Sequence, residues 1–416
     1  MNVGLAGLVC TLAACAHAPS SNEAVPAPTP FPNWTALHHF VDSAVAAGAA
    51  PGMVIAASWP GGHHIYSAGR LGDGAPDRPD RHTQYDLASL TKVVGLTTAL
   101  MFAVDEGRID LDAPIQAYVP AFQGAGKEQV TVRMLLAHAG GLPAWRPFFR
   151  QAADRAGVLA LVETTPLESP PGHRFTYSDL GGILLGQAAE SVYGERLDSL
   201  LDRRLFRPLG MRHTGYLRMV ADVPTVAPTE LDVYRGRVLR AQVHDENAWR
   251  MGGVSGHAGL FSNAEDLLKF GEWWIGQWSG GQADRRTEGG DASDRPSAGP
   301  AVRQSVVQEF ARRQDLPAGS ARALGWETPT EDNTGSALLS PGSVGHTGFT
   351  GTSLWIDPGR GVVIVVLANP VHPTRAHTRF NGVRRGVGDR VLAALGACER
   401  APLLVDGTEL TACATR

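Results

Sequence analysis

The stretch YDLASLTKVVGLTTALMFAVD, residues 85–105, decides the fold because it places Ser89 and Lys92 at the start of an apolar helix. Residues at i and i+3 share one helix face, so the Lys92 amine can reach the Ser89 hydroxyl. A serine hydroxyl becomes a strong nucleophile when a neighbouring base takes its proton, and a neutral amine can be that base. Of the 37 lysines and arginines only three are lysine, and only lysine can release its proton. The alternative interpretation is an N-capped helix with a solvated lysine.

Hydrophobic patterning around this stretch predicts a central sheet covered by helices. The helix that starts at Ser89 is apolar nearly all round, which predicts burial between two lobes. Residues 53–59 and 64–68 are predicted to pair as strands, and the apolar run 362–367 to form a central strand. Further helices are predicted from residue 34 to 45 and from 385 to 397, and residues 110–275 to be mostly helices and loops.

Two motifs downstream give the serine and lysine a context. Tyr177-Ser178-Asp179 follows Ser89 by 88 residues, and His346-Thr347-Gly348 follows Tyr177 by 169. With the segments 132–143 and 243–261, this order resembles the penicillin-recognising serine hydrolases, which comprise class C β-lactamases, D-alanyl-D-alanine carboxypeptidases and esterase relatives. The resemblance spans about residues 35 to 395. A second His-Thr-Gly at residues 213–215 follows a predicted helix end, so we assign the family motif to His346.

The resemblance implies both a fold and a set of site residues. The fold class is α/β (α+β), β-lactamase/transpeptidase-like, with an antiparallel sheet made from both chain ends and an inserted all-α lobe. Ser89 is the implied nucleophile, and the Ser89 and Phe349 backbone N–H groups form the implied oxyanion hole. Tyr177 or Lys92 is the general base; as a base at neutral pH, the Tyr177 phenol needs a pKa about three units below its usual 10. The implied substrate-binding residues are Asp179, His346, Thr347, Gly348 and Phe349.

Two positions depart from the family pattern. Asp179 stands where many members have Asn, and an ionised Asp cannot donate a hydrogen bond to a substrate carbonyl. We expect it to pair with Lys92 instead, holding the lysine protonated and favouring a Tyr177 phenolate, which weakens the case for efficient β-lactam hydrolysis. His346 stands where many members have Lys. Because histidine is partly charged near pH 7, we expect affinity for substrate carboxylates to fall between about pH 6 and 8.

A second group of ionisable residues, His244, Asp245, Glu246 and His257, lies in the family-like segment 243–261. We interpret this group as structural anchoring near the cleft rather than as a second acid–base set. Metal-ligand spacing is lacking at His38-His39 and His63-His64, and no cofactor or metal is predicted.

Composition and termini suggest an exported protein. The 416 residues carry a formal net charge of −4, which argues against nucleic acid as a partner. Leu12-Ala13-Ala14-Cys15 resembles a bacterial lipobox, so we predict a signal peptide at 1–14, lipidation of Cys15 and a Pro/Ser-rich tether at 15–33. The positively charged start of a usual signal peptide is missing. The predicted compartment is the bacterial periplasm, with the protein lipid-anchored in the outer membrane or otherwise exported.

The hydrolase domain is predicted over residues 34–398, with a disordered insertion at 279–300 and a C-terminal tail at 399–416. Cys398 and Cys413 form a disulfide or remain two thiols. We predict a serine hydrolase that forms an acyl-enzyme on Ser89, with D-alanyl-D-alanine carboxypeptidase-like activity on a small-molecule or peptidoglycan-peptide substrate. The alternatives are a carboxylesterase, then a class C-type β-lactamase, or a sensor that binds β-lactams or peptides and deacylates slowly.

Overall fold

A computed structural model describes residues 1, 32–72, 77–216, 226–280, 299–376 and 380–397, together with the backbone of 404–405 and 408–409. The chain divides into residues 1–33 and 34–416, and the account below concerns the second unit. Several predictions lie outside the described residues: the signal peptide, the lipidated Cys15, most of the tether and the insertion, and Cys398 and Cys413.

A five-stranded antiparallel sheet forms the centre of the larger unit, in the order β2-β1-β10-β9-β8. Its strands are β1 Gly52–Trp59, β2 Gly62–Gly69, β8 Val344–Thr347, β9 Ser353–Asp357 and β10 Val362–Ala368. The central strand β10 is buried along its whole length, as its unbroken apolar sequence predicts. Because β1 and β10 come from opposite ends of the chain, the predicted sheet built from both ends is confirmed.

Alternate residues of the central strands face two different helical layers. Met53 and Ile55 pack with helices α1 (Thr35–Ala46) and α10 (Asn381–Ala394). Val54 and Val363 point to the opposite face, where α8 (Ala264–Trp278) crosses so closely that a Cβ on Gly271 would lie 2.5 Å from Val363. This alternation is the period-two pattern of a strand buried on both sides.

Helices dominate the lobe inserted between β2 and β8. A π-helical segment, Lys92–Thr97, continues directly into α2, Thr98–Asp105, and its side chains are almost completely buried, as predicted. The other helices are α3 Val132–Leu136, α4 Arg155–Thr164, α5 Asp179–Tyr193, α6 Leu197–Leu201, α7 Glu246–Arg250 and α9 Gln304–Ala311. None of the helices within the described residues combines the length and apolar character that crossing a bilayer requires.

The lobe is not entirely helical, in contrast to the expected all-α lobe. A small sheet in the order β3-β7-β4 joins Tyr85–Asp86, Leu260–Ser262 and Gly215–Tyr216, and β5 (Leu231–Asp232) pairs with β6 (Arg237–Val238). A further pair, β11 (Leu404–Val405) and β12 (Thr408–Glu409), lies near the end of the chain. These strands of two or three residues are too short to show a period-two pattern in the sequence.

Candidate active site

Ser89 lies on a tight turn between β3 and the buried helix. Ala88 adopts a left-handed conformation with φ of 46°, which is strained for a residue with a Cβ. The Asp86 carboxylate holds the turn by accepting bonds from the backbone N–H groups of Ala88 at 2.8 Å and His244 at 2.6 Å. Thr350 and Thr352 donate hydroxyl hydrogen bonds to the Asp86 and Leu87 carbonyls. The turn is thus fixed from both lobes, and it leaves Ser89 half-buried at the cavity wall.

Lys92 lies between the nucleophile candidate and a carboxylate. Its ammonium donates to Ser89 Oγ at 3.0 Å and to the His257 carbonyl at 3.1 Å, and it lies 2.7 Å from Asp179 Oδ1. Burial alone would lower the pKa of Lys92, but the facing Asp179 and Tyr177 outweigh it and raise the pKa. The lysine is therefore protonated in the resting site. The expected pairing of Asp179 with Lys92 is what the geometry shows.

Tyr177 completes the group, with its ring centroid 4.9 Å from Lys92 Nζ. Burial raises the pKa of the phenol, and the charge of Asp179 adds to that rise. The charge of Lys92 lowers the pKa, but not enough to cancel the rise. The expectation that Asp179 would favour a Tyr177 phenolate is therefore wrong for the resting site, because burial opposes the charged phenolate and the Asp179 carboxylate adds to that opposition.

His346 is buried next to Tyr177, and the centroids of the two rings lie 5.9 Å apart. Its Nδ1 donates to the Thr347 carbonyl at 2.8 Å. Burial, with the positive charges of Arg322 and Lys92, lowers the pKa of His346 well below its usual value. The lowered pKa favours a neutral ring and therefore argues against the predicted loss of its charge between pH 6 and 8.

The segment after His346 brings strand β8 against the serine turn. A Cβ on Gly348 would lie 2.1 Å from Thr352 Oγ1 and 2.4 Å from the Leu87 carbonyl oxygen, so only glycine fits there. The next residue, Phe349, is exposed, and its ring stacks on His244. Among the described residues, neither the Ser89 nor the Phe349 backbone N–H has a protein acceptor, as the implied oxyanion hole requires. Thr347 lines the same cavity.

Arg322 is the cation that sequence analysis missed. Its guanidinium lies 5.6 Å from the Tyr177 ring centroid and donates to Glu327 Oε1 at 3.2 Å. Its Nη1 is buried and has no hydrogen-bond partner in the described part of the chain. No motif distinguishes this residue from the other arginines, so no sequence signal could have identified it.

The ionisable residues of the segment 243–261 contact one another and support Lys92. His257 Nε2 lies 2.8 Å from Asp245 Oδ1, and its Nδ1 lies 2.7 Å from Ser255 Oγ. Burial would raise the pKa of Asp245, but the facing His257 lowers it. Because the His257 carbonyl also accepts from Lys92, this pair positions the lysine, which agrees with an anchoring role. His244 contacts Glu230 at 3.1 Å, away from Lys92.

One cavity of about 530 Å³ is lined by Ser89, Tyr177, Asp179, Arg322, His346, Thr347 and Phe349, and it also reaches Trp145, Glu246 and Arg375. Within the described residues, no His, Cys, Asp or Glu cluster could hold a metal ion. The second His-Thr-Gly lies outside this cavity. There Thr214 donates to Asp266 at 3.0 Å and its backbone leads into β4, which is a structural role.

The fold and the site together define a β-lactamase/transpeptidase-like hydrolase. Residues 37–386 match the family described as Beta-lactamase, and the chain belongs to that family. It is 32% identical over 336 residues to a Salmonella schwarzengrund protein named "Putative D-alanyl-D-alanine carboxypeptidase", covering 74% of each chain.

Two solved structures share the fold. The octameric penicillin-binding protein homologue from Pyrococcus abyssi superposes with a TM-score of 0.65 and 21% identity, over 86% of this chain and 77% of that one. A class C β-lactamase superposes with a TM-score of 0.65 and 18% identity, over 86% of this chain and 97% of that one.

Proposed function

We propose that this protein is a serine hydrolase that works through an acyl-enzyme on Ser89. The single observation that carries the proposal is the position of Lys92, whose ammonium lies 3.0 Å from Ser89 Oγ and 2.7 Å from Asp179. A lysine that only closed a buried ion pair would not need to contact a serine hydroxyl at the cavity wall.

The reaction begins when Ser89 Oγ forms a bond to the substrate carbonyl carbon. The carbonyl oxygen gains negative charge and accepts hydrogen bonds from the Ser89 and Phe349 N–H groups. The Ser89 proton passes to the Tyr177–Lys92 pair and from there to the leaving group as its bond to the carbonyl carbon breaks. A water molecule then attacks the acyl-enzyme, and its proton takes the reverse path to Ser89.

The base forms when the Tyr177–Lys92 pair loses a proton to the solvent before the reaction. Burial and Asp179 raise the pKa of Tyr177, and Asp179 and Tyr177 raise the pKa of Lys92, so both groups rest protonated. One of the two groups must first release a proton to the solvent, so the fraction of enzyme that has already lost this proton is the active form. Tyr177 and Lys92 remain alternative bases in this scheme.

Carboxypeptidase-like cleavage of a D-alanyl-D-alanine peptide is the activity we propose. The Salmonella relative is named "Putative D-alanyl-D-alanine carboxypeptidase". Arg322 adds a physical reason, because its guanidinium lies 5.6 Å from the Tyr177 ring centroid and Arg322 lines the same cavity as Ser89. A carboxylate on the leaving group would accept charge-assisted hydrogen bonds from this guanidinium, which also pairs with Glu327. Asp179 offers no hydrogen-bond donor to an amide carbonyl, which disfavours β-lactamase activity.

A parallel assay of three substrate classes tests this proposal. Purified wild type and Ser89→Ala are given N-acetyl-D-alanyl-D-alanine, a p-nitrophenyl ester and a penicillin, and product release is followed for each. We expect the peptide to be cleaved by wild type alone. Ester cleavage without peptide cleavage would favour an esterase, and rapid penicillin loss would favour a β-lactamase. Penicillin acylation without turnover of any substrate would favour a binding sensor.

We also propose export to the periplasm with a lipid on Cys15, on the basis of the sequence Leu12-Ala13-Ala14-Cys15. Cys10 provides a matched control five residues earlier. Labelling expressing bacteria with radioactive palmitate should mark the wild type and Cys10→Ala but not Cys15→Ala. Equal labelling of all three, or labelling of none, would contradict the lipid anchor.

A further inference from the structure

Arg384 is a buried cation that the proposed reaction does not use. It lies in the first turn of α10 and is only 7% exposed. Burial lowers the pKa of Arg384 to about 10, and the charge of Glu327 offsets only part of this effect. Glu327 itself pairs with Arg322 at 3.2 Å, and no carboxylate in the described part of the chain forms an ion pair with Arg384. Burying a cation without a partner of opposite charge is costly, so this position needs an explanation.

The guanidinium of Arg384 is directed at the segment that follows His346. Its Nη2 donates to the Gly348 carbonyl at 2.7 Å, and this bond is buried. Its Nη1 donates to Asn381 Oδ1 at 2.5 Å, and the group lies 5.2 Å from the Phe380 ring centroid. The contacts with Asn381 and Phe380, both close to Arg384 in the chain, hold the guanidinium against the Gly348 carbonyl.

The Gly348 carbonyl belongs to the same peptide unit as the Phe349 N–H. This peptide is trans, since the cis peptide bonds of the described chain lie elsewhere. In a trans peptide the C=O and the N–H point in opposite directions. Arg384 therefore binds one side of the peptide unit, and the Phe349 N–H points away from the guanidinium. Phe349 lines the active-site cavity, whereas Arg384 does not.

A positive charge at a carbonyl oxygen strengthens the N–H of the same amide as a hydrogen-bond donor. Hydrogen bonds in a chain polarise one another, and bonds from an ionised donor are the strong ones. The Gly351 N–H also donates to the Gly348 carbonyl, at 3.1 Å, so this carbonyl would have a partner without Arg384. What Arg384 adds is its charge and a second fixed direction for the peptide.

We propose that Arg384 is a positioning residue for the oxyanion hole: through the Gly348 carbonyl it orients the Gly348–Phe349 peptide and strengthens the Phe349 N–H as a donor. This inference rests on the proposed function, in which that N–H stabilises the negative charge on the substrate carbonyl oxygen. Because the charge develops only as Ser89 attacks, Arg384 should act on the transition state and not on substrate binding.

Replacing Arg384 with Met tests this role, because Met removes the charge and keeps a long side chain. With a p-nitrophenyl ester we expect kcat and kcat/KM to fall together by about tenfold with KM unchanged, the pattern of an interaction made only in the transition state. The effect should be smaller than the roughly 100-fold or greater loss that follows removal of an oxyanion donor, since the N–H itself remains. Arg384→Lys keeps the charge and should be more active than Arg384→Met.

Arg385→Met is the matched control. Arg385 is the next residue of α10, and its Nη1 also donates to a backbone carbonyl, that of Glu331, at 2.5 Å. Neither Arg385 nor Glu331 lines the active-site cavity. We therefore expect wild-type kcat for this variant.

The infrared spectrum of the acyl-enzyme separates this role from a structural one. The acyl group is labelled with carbon-13 at its carbonyl, and its stretching band reports how strongly the oxyanion hole polarises that bond. The band should move to higher wavenumber in Arg384→Met and stay in place in Arg385→Met. A change that only loosened the fold would reduce the yield of the adduct without moving the band.

Unfolding in urea gives an independent check. Arg384→Met should be at least as stable as wild type, because an apolar side chain replaces a buried charge that has no carboxylate partner. Neither acceptor is left buried and unpaired, since the Gly348 carbonyl keeps the Gly351 N–H and Asn381 is exposed.

The outcomes distinguish this inference from the proposed function. Wild-type kcat in Arg384→Met would overturn the positioning role and leave the proposed function intact. A loss of kcat with an unmoved carbonyl band, or an Arg384→Lys variant no more active than Arg384→Met, would also overturn it. If wild type formed no acyl adduct on Ser89, the proposed function and this inference would fall together.

Discussion

At the scale of single residues, Asp179 determines how protons are distributed in the site. It lies 2.7 Å from Lys92, and its charge raises the pKa of both Lys92 and Tyr177. The Ser89–Lys92 contact and the pairing with Asp179 follow from helical spacing and charge, so both could be predicted from sequence. The protonation of Tyr177 could not, because burial and the distance between Tyr177 and Asp179 are properties of the folded site.

Replacing Asp179 with Asn should shift the pH dependence of catalysis. Without the carboxylate, burial lowers the pKa of Lys92, and the pKa of Tyr177 falls because the opposing charge is gone. The base therefore forms at lower pH, and the rising limb of the kcat/KM profile should move toward lower pH. Asp42→Asn, a change at an exposed position, is the control. If the rising limb of the kcat/KM profile stayed at the same pH in Asp179→Asn, Asp179 would not control the protonation of Lys92 and Tyr177.

Arg322, and not His346, should provide the charge that binds a substrate carboxylate. Because the pKa of His346 is lowered well below its usual value, the ring stays neutral and KM should be flat between pH 6 and 8. Arg322→Gln should raise KM for carboxylate-bearing peptides by about 10- to 100-fold, the usual cost of losing hydrogen bonds to a charged group. Neutral esters serve as the control substrates. A KM that rises from pH 6 to 8 for the peptides only would show that a charged His346 binds the substrate carboxylate.

At the scale of elements, the site depends on the close approach of strand β8 and the serine turn. The strands β1 and β10 could be predicted because their apolar runs are long, and β2 because it follows β1 across the turn at Pro60 and Gly61. The small sheet of β3, β7 and β4 could not, since each strand pairs only two or three residues. Yet this sheet and the hydroxyls of Thr350 and Thr352 hold Ser89 opposite Phe349.

A methyl group added at Gly348 should separate these two elements. Its Cβ would lie 2.1 Å from Thr352 Oγ1 and 2.4 Å from the Leu87 carbonyl, so the Phe349 N–H must move. We expect Gly348→Ala to lower kcat by about 100-fold or more through the oxyanion hole. It should also cost about 1–3 kcal/mol of unfolding free energy, measured by urea denaturation.

Gly276→Ala is the matched control. Gly276 lies in helix α8, and nothing lies within 4 Å of an added Cβ. This variant should be as active as wild type and about 0.5–1 kcal/mol more stable, because alanine favours the helix. Equal activity of both glycine variants would mean that the Phe349 N–H is not needed.

At the scale of the whole molecule, the site lies between a sheet built from both chain ends and a lobe inserted between them. The side chains buried in this interior include charged and titratable ones. His138 accepts a hydrogen bond from the Ser178 N–H at 3.1 Å, and burial lowers the pKa of both His138 and His346. The sequence places these histidines near family motifs, but it does not show that they are enclosed.

Stability should therefore decrease in mild acid. Below about pH 6.5 the unfolded chain binds protons on His138 and His346 while the folded chain does not, so acid favours unfolding. Each histidine adds a slope of at most about 1.4 kcal/mol per pH unit. Urea denaturation from pH 5 to 8 measures the slope. His138→Asn should make it shallower, whereas His39→Asn at an exposed position should not. An unfolding free energy that does not fall below pH 6.5 would contradict the neutral buried state.

The central claim is that Ser89 carries the acyl group, and acid-quenched intact-mass spectrometry tests it most directly. Wild type, Ser89→Ala and Ser43→Ala, a control at an exposed serine of α1, are mixed with a penicillin or a p-nitrophenyl ester. The account predicts a single acyl adduct on wild type and Ser43→Ala, mapped to the peptide that contains Ser89, and none on Ser89→Ala. An adduct of equal yield on Ser89→Ala, or one mapped to another residue, would contradict it.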